Sequence, residues 1–196
     1  MKRNLISAIL MTVVTTVLCG VIYPLVVTAL AQVLFHDKAN GQLITQDGRM
    51  IGSRIIAQPF TGTAYFHPRA SAAGTNGYDA TNSGGTNYGP TNQKLIDRVK
   101  QDVASAQSEN AGAPVPADYV TTSASGLDPD ITPANADFQL PRVAKERGVS
   151  KEQLQVLVAQ HTSARQFLFL GEPRVNVLEL NLDLDSKFPL QKRASR

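Results

Sequence analysis

The stretch LISAILMTVVTTVLCGVIYPLVVTALAQVLF, residues 5–35, decides the fold class because it contains no charged side chain. A helix needs roughly 20 residues, at about 1.5 Å each, to cross the hydrocarbon core of a bilayer. A helix is also the one single-segment structure that satisfies its own backbone groups in lipid. The sequence therefore predicts one transmembrane α-helix over residues 5–35, preceded by a cytoplasmic stub at residues 1–4, and a single pass through the membrane.

The charges at the ends of the apolar run predict its orientation. Lys2 and Arg3 precede the run, whereas the charges that follow it nearly cancel. Cytoplasmic flanks carry the excess of basic residues, so we expect residues 36–196 on the opposite side of the membrane. An alternative is a secretory signal cleaved after Ala29-Leu30-Ala31. The run is about twice as long as the usual apolar segment of such a signal, which favours a retained anchor.

The composition after the helix excludes several function classes. Residues 36–196 contain 17 of the 19 Lys and Arg residues and all 16 Asp and Glu residues. This balance offers no basic patch, so we expect no nucleic-acid partner. The single cysteine, Cys19, lies inside the apolar run, which excludes an intrachain disulfide. The lack of paired cysteines or clustered histidines also argues against the usual zinc sites.

Small and polar side chains recur every four residues along the apolar run, at Thr12, Thr16, Gly20 and Pro24. A step of four residues advances about 400° around a helix, so neighbouring members share one face. Small residues and hydroxyls let a second helix approach closely in lipid, and we interpret the row as a partner-helix packing surface. The alternative is that the hydroxyls bond their own helix backbone. Pro24 is expected to bend the helix near Gly20.

Turn signals and hydrophobic periodicity predict an α+β domain, a mixture of helices and short strands, for residues 36–196. Asp47-Gly48 predicts a hairpin between two short strands. Residues 60–93 are rich in Gly, Asn and Thr and predict a long loop, whose aromatic residues argue against disorder. An amphipathic helix follows over residues 92–107, and residues 119–121 are a strand candidate.

Capping signals organise the second half of this domain. Thr132-Pro133 and Ser150-Lys-Glu-Gln153 each predict the start of a helix. Residues 167–170, with the sequence FLFL, predict a buried strand. Residues 175–185 have two interpretations. The alternation of apolar and polar residues predicts a strand, whereas Asn176 can cap a helix.

Three patterns have a chemical interpretation and a structural alternative. Ser83-Gly-Gly-Thr-Asn87 lacks the Lys-Ser/Thr ending of a phosphate-binding loop, which favours a turn. Asp128 and Asp130 offer too few oxygens for Ca²⁺, which takes about six to eight, and favour turn and capping roles. His67 and His161 have no nucleophile pattern nearby, and we expect His161 to face solvent or the helix C-terminus. We therefore predict no catalytic, cofactor-binding or metal-binding residue.

Tyr65, Phe66 and Arg69 are the strongest candidates for a binding surface. Aromatic residues and Arg dominate the hot spots of protein interfaces, so these three residues predict a partner-docking loop. The alternative, that the two aromatic rings pack in the core, is equally open.

Six blocks of the chain resemble one family, in the same order. They are Tyr65-Phe66-x-x-Arg69, Ser83-Gly-Gly-Thr-Asn, Thr122-Ser-Ala-Ser-Gly-Leu-Asp128, Ile131-Thr-Pro133, Pro141-Arg-Val-Ala-Lys-Glu-Arg147 and Val175-Asn-Val-Leu-Glu-Leu-Asn-Leu182. With the single N-terminal helix, the chain resembles the C subunits of Kdp-type potassium-transporting P-type ATPases over about residues 5–185.

The resemblance implies a subunit of a complex in the bacterial inner membrane, with its N-terminus cytoplasmic and its main domain periplasmic. A channel-like subunit would carry K⁺ and a P-type subunit would hydrolyse ATP. Other subunits of the complex, and not this chain, would therefore bind K⁺ and ATP. The C subunit is described as a catalytic chaperone that raises the ATP affinity of the hydrolysing subunit. A periplasmic domain would act on ATP turnover only through coupling between sites. The alternative is a stand-alone, membrane-anchored periplasmic binding module or hydrolase.

Overall fold

The structure of the protein, a computed structural model, describes residues 1–190. Contacts divide the chain into two compact units, residues 1–51 and residues 52–196, and each is described by itself.

The first unit consists mainly of the apolar helix. Helices α1 (Lys2–Val17) and α2 (Tyr23–Leu34) are joined by one π-helical turn, Leu18–Ile22, into a continuous helix of 33 residues without a buried side chain. Among residues 1–190 it is the one helix long and apolar enough to cross a membrane. The π-helical turn lies next to Pro24, which cannot donate a backbone hydrogen bond. The helix therefore departs from α-helical geometry where Pro24 predicts a disturbance.

A short hairpin follows the apolar helix. After α3 (His36–Ala39), strands β1 (Leu43–Gln46) and β2 (Arg49–Ser53) pair with each other. Asp47 and Gly48 have φ angles of 52° and 74°, the left-handed values that a two-residue hairpin turn requires. The predicted hairpin is confirmed.

The second unit combines helices with a small sheet, which confirms the α+β class. Residues 54–92 contain no helix or strand. The elements that follow are α4 (Gln93–Glu109), α5 (Ala117–Val120), β3 (Asp130–Ile131), α6 (Pro133–Arg147), α7 (Lys151–Gln160), β4 (Thr162–Ser163), β5 (Arg174–Asn176) and α8 (Val177–Lys187).

The core of this unit lies between the small sheet and helices α6, α7 and α8. Strand β5 is central and antiparallel to both β3 and β4, and Val175 stands opposite both Ile131 and Thr162. The buried apolar residues of the core are Phe66, Ile131, Ala136, Leu140, Val143, Ala144, Leu154, Leu157, Val158, Val175, Val177, Leu180 and Leu184. Each fully buried large side chain stabilises the fold by about 1.5–3 kcal/mol, so this cluster is the main source of stability.

The predicted helix starts are confirmed by their caps. Thr132 Oγ1 accepts a hydrogen bond from the Asn135 N–H at 3.1 Å. Ser150 and Gln153 form the reciprocal capping box, with each side chain accepting from the backbone N–H of the other. Gly148, with φ of 66°, ends α6 in the left-handed conformation that glycine adopts without strain.

Two predicted strands are wrong. Residues 119–121 belong to α5 and the turn after it, because Pro116 precedes a helical turn and the Tyr119 ring packs edge-on against Phe138, with the ring centroids 5.0 Å apart. Residues 167–170 form an exposed turn instead of a buried strand. An apolar run predicts burial only when another element covers it, and no element among residues 1–190 covers this one.

Both interpretations of residues 175–185 are partly right. Strand β5 ends at Asn176, and α8 begins at Val177. Asn176 Oδ1 accepts from the Glu179 N–H at 3.1 Å, so the cap starts the helix after only three residues of strand.

Candidate functional site

Two buried amide side chains fix the backbone of the anchored loop, residues 60–93. The Asn181 side chain accepts from the N–H of Phe66 at 2.9 Å and donates to its C=O at 2.8 Å. Gln139 pairs with His67 in the same way, accepting at 2.7 Å and donating at 3.1 Å. Each amide replaces the hydrogen bonds that a neighbouring strand would supply. A loop without regular structure is thereby held on α6 and α8.

Two arginines of α6 bind three successive carbonyls of the anchored loop. Arg142 Nη1 donates to Thr63 O at 2.6 Å and to Tyr65 O at 2.8 Å. Arg147 Nε donates to Ala64 O at 2.8 Å. Hydrogen bonds from a guanidinium are charge-assisted and directed by its planar geometry. The loop therefore has little freedom to change its path in this segment.

The Tyr65 ring packs against one of these arginines. The guanidinium carbon of Arg147 lies 4.7 Å from the ring centroid, and the Tyr65 hydroxyl donates to Asp185 Oδ2 at 3.1 Å. Arg147 Nη2 lies 2.7 Å from Asp185 Oδ1. Burial and the Asp185 carboxylate raise the pKa of Tyr65, so its hydroxyl stays a hydrogen-bond donor.

Arg69 connects the anchored loop to the segment before β3. Its guanidinium forms an ion pair with Asp128 at 3.1 Å and donates to Thr122 O at 3.2 Å. Its own carbonyl accepts from the Tyr78 hydroxyl at 2.9 Å. Burial raises the pKa of Tyr78, which keeps that hydroxyl protonated.

The structure separates the three residues predicted to dock a partner. Phe66 is fully buried in the core, so the prediction that its ring meets a partner is wrong, and the core-packing alternative is right for this residue. Tyr65 and Arg69 are half-buried and hold the loop in place. A docking role for these two stays a prediction.

The glycine-rich stretch uses its polar groups within the domain. The N–H of Gly84 donates to Ser125 O at 2.9 Å, and the Ser83 hydroxyl donates to the same carbonyl at 3.0 Å. A Cβ at Gly85 would lie 2.8 Å from Ala124 O, so only glycine allows the two segments to approach this closely. These contacts favour the turn interpretation over a phosphate cradle.

A recess of about 260 Å³ is lined by charged residues that pair with one another. Asp130 pairs with Arg174 at 2.9 Å, and Asp128 pairs with Arg69 at 3.1 Å. Asp128 Oδ1 also accepts from the Asp130 N–H at 3.1 Å, which confirms the predicted turn role. Burial raises the pKa of Asp130. Residues 1–190 contain no group of three or more His, Cys, Asp or Glu residues placed to hold a metal ion.

Neither His67 nor His161 contacts a nucleophilic side chain among residues 1–190. His67 Nε2 lies 2.9 Å from Gly62 O, and burial followed by the charge of Arg142 lowers the pKa of His67. His161 Nε2 lies 2.9 Å from Asp183 Oδ2. His161 caps the C-terminus of α7, as expected, and α8 in addition places the Asp183 carboxylate beside its half-buried ring. These contacts are structural.

The row of small residues on the apolar helix has room for a neighbour. Thr12 Oγ1 donates to Ala8 O at 2.9 Å, so its hydroxyl does bond its own helix. A Cβ at Gly20 would meet only the Thr16 methyl, at 3.9 Å, so the helix itself does not require glycine there. That Thr12, Thr16, Gly20 and Pro24 pack on a partner helix stays a prediction.

The buried polar side chains of α6 were missed by the sequence analysis. Asn135, Gln139 and Arg142 recur at steps of four and three residues, and Asn135 and Gln139 are almost fully buried. Gln139 Nε2 donates to Asn135 Oδ1 at 2.8 Å. Polar residues at helical spacing among apolar ones are the signal that could have identified them, because such side chains must find partners inside the domain.

The fold and the site together define a class of protein: a membrane-anchored protein whose folded domain presents a rigidly held loop surface. The chain belongs to the family described as K+-transporting ATPase, c chain (KdpC), whose family model matches residues 5–186.

Named relatives match over nearly their full lengths. The chain is 70% identical over 190 residues to the potassium-transporting ATPase KdpC subunit of Koribacter versatilis, covering 97% of this chain and 98% of the relative. It is 55% identical to the subunit of that name from Rhodospirillum rubrum, covering 97% and 99%, and 51% identical to that from Mycobacterium tuberculosis, covering 94% and 99%. The resemblance to C subunits is confirmed.

Proposed function

We propose that the chain is a non-catalytic accessory subunit of an ATP-driven, high-affinity potassium-uptake complex. The observation that carries this proposal is the family match over residues 5–186. The geometry supports it, because the polar side chains around the anchored loop bind its backbone and each other. A stand-alone hydrolase is not favoured, since His67 and His161 contact a carbonyl and a carboxylate instead of a nucleophile.

The subunit sits in the inner membrane with its N-terminus in the cytoplasm and its domain in the periplasm. The basic pair Lys2 and Arg3, ahead of the apolar helix, supports this orientation. The domain then braces the entrance of a channel-like potassium subunit. It acts as a catalytic chaperone on the P-type subunit only through coupling, because ATP is on the other side of the membrane.

Purification of the whole complex with and without this chain tests the function. We expect the chain to co-purify with both other subunits in mild detergent, and the complex that lacks it to have a higher KM for ATP. We expect the chain alone to hydrolyse no ATP. A chain that purifies alone and turns over a small substrate would show the stand-alone alternative to be right.

Reporter fusions after Arg196 test the orientation. We expect an alkaline phosphatase fusion, which is active only when exported, to be active, and a green fluorescent protein fusion to be dark. In the matched control, Lys2→Gln and Arg3→Gln are combined with His36→Arg, which moves the basic bias to the other end of the helix and should reduce export. Bright fluorescence from the unmodified chain would place the domain in the cytoplasm and favour direct ATP contact.

A further inference from the structure

The middle of the anchored loop contains an asparagine followed by a glycine, Asn76-Gly77. Asn76 is exposed, and Gly77 has a φ angle of 76°, in the left-handed region that glycine adopts without strain. Asparagine is a chemically labile residue, and it is most labile before glycine, because no side chain hinders the glycine nitrogen. The pair therefore places an electrophilic side-chain amide next to an unhindered backbone nucleophile.

No hydrogen bond holds the backbone around this pair. The Asp79 N–H donates to Ala73 O at 3.2 Å and closes the segment at its base. Between these two residues, residues 75–77 have no hydrogen-bond partner among the residues that the structure describes. The side-chain amide of Asn76 and the N–H of Gly77 can therefore meet without the loss of a hydrogen bond.

A second pair of the same kind, Asn40-Gly41, has its reactive groups already engaged. Asn40 Nδ2 donates to His36 O at 2.7 Å and to Gln32 Oε1 at 3.1 Å. The Gly41 N–H donates to Lys38 O at 3.2 Å. A reaction between the two groups has to break these hydrogen bonds first, so the structure separates two pairs that are identical in sequence.

We propose that Asn76 is a site of spontaneous deamidation, so that the chemistry of the anchored loop depends on the age of the protein. The Gly77 nitrogen gives up its proton and attacks Asn76 Cγ, and the side-chain nitrogen leaves with that proton as ammonia. Water, the one co-reactant, then opens the five-membered succinimide ring. Opening at Cγ gives aspartate, and opening at the main-chain carbonyl gives isoaspartate, in which the main chain runs through the side chain. The reaction requires no other subunit, so the inference is independent of the proposed function.

Both products change the surface of the anchored loop. Residues 70–93 contain a single charged residue, Asp79, and a carboxylate at residue 76 adds a second negative charge close to it. Isoaspartate also adds one carbon atom to the main chain just before Tyr78, whose hydroxyl donates to Arg69 O at 2.9 Å. A nearly uncharged surface therefore becomes more acidic, and in the isoaspartate form its backbone path also changes.

Ageing of the purified full chain in mild detergent, in mildly alkaline buffer made with ¹⁸O-labelled water, tests the proposal. Peptide mapping by mass spectrometry distinguishes deamidation during ageing, which adds about 3 Da, from earlier or later deamidation in ordinary water, which adds about 1 Da. We expect Asn76 to react at least about tenfold faster than Asn40, because each hydrogen bond that must break first lowers the reactive population roughly fivefold. We also expect isoaspartate among the products, since the succinimide route forms it and direct hydrolysis of the side chain does not.

Two controls separate the effect of the structure from that of the sequence. The tryptic peptides of residues 39–49 and 70–94, aged after digestion, have no fold, so both asparagine–glycine pairs should then react at similar rates. The variant Asn76→Gln would need a six-membered ring and should stay unlabelled at residue 76, with an unchanged melting temperature because the Asn76 side chain has no partner to lose. Equal rates at Asn40 and Asn76 in the folded chain overturn the proposal. So does an Asn76 that reacts in the free peptide but not in the folded chain, or a product that contains aspartate alone.

Discussion

The guanidinium carbon of Arg147 lies 4.7 Å from the ring centroid of Tyr65, and this contact joins α6 to the exposed edge of the anchored loop. The Arg147 side chain is fully buried and also donates to Ala64 O at 2.8 Å and to Phe188 O at 2.9 Å. One side chain thus connects the loop, α6 and the residue that ends α8.

Replacement of Arg147 by methionine should lower the free energy of unfolding by about 2–4 kcal/mol, because two carbonyls lose their charged donor. Denaturant titration of the purified full chain in detergent measures this change. Lys187→Met is the matched control, since it removes an ion pair with Asp183 four residues away on α8, and it should cost about 0.5 kcal/mol. Equal losses for the two variants would contradict a special role for Arg147.

Replacement of Asn181 by leucine should release the loop backbone at Phe66. The variant keeps the volume of the side chain but leaves a buried N–H and C=O without partners, at a cost of about 2–4 kcal/mol. We expect the Phe66 amide to exchange its hydrogen much faster than in the wild type. Asn176→Ala removes the cap of the same helix and should cost about 1 kcal/mol without that local effect. Unchanged exchange at Phe66 in Asn181→Leu would refute this account.

Features set by neighbouring residues could be predicted from the sequence. The turn at Asp47-Gly48 and the caps at Thr132 and Ser150 depend on residues at most a few positions apart, and all three are present. The apolar helix could be predicted for the same reason, because length and composition alone define it.

Features set by distant residues could not be predicted. The Asn181 side chain meets Phe66 across 115 positions, and no local pattern indicates such a contact. The burial of Phe66 and the exposure of Phe167–Leu170 follow from which elements cover each segment. Both segments look equally apolar in sequence, so periodicity assigned the second one wrongly to the core.

Stability should fall on acidification because of His67. Burial and the charge of Arg142 lower the pKa of His67 in the folded state, so the unfolded chain, with a histidine pKa of about 6.5, binds the proton first. The free energy of unfolding should therefore decrease as pH falls from about 6.5 towards the folded-state pKa. Melting temperatures of wild type and His67→Gln between pH 8 and pH 5 measure this. If the histidine is responsible, the melting temperature of the wild type should fall more steeply towards acid pH than that of His67→Gln. His36→Gln, at an exposed position, is the control and should leave the slope unchanged.

The double variant Thr16→Leu/Gly20→Leu should weaken assembly within the membrane. The substitutions preserve or increase hydrophobicity, so insertion should be intact, but they block the close approach of a second helix. The expected loss is about 1–2 kcal/mol of the interface, or roughly 5- to 30-fold in association. Co-purification of the other subunits, normalised to the expression level of this chain, is the measurement.

A control on the opposite face of the helix tests whether added side-chain volume weakens assembly wherever it is placed, or only on the row of small residues. Val14 and Leu18 lie two residues before Thr16 and Gly20, and a step of two residues turns about 200° around the helix. Val14→Phe/Leu18→Phe therefore adds volume to the face away from the row and should leave recovery of the other subunits unchanged. If both double variants recover them as well as the wild type does, the row faces lipid, and the folded domain alone holds the chain in the complex.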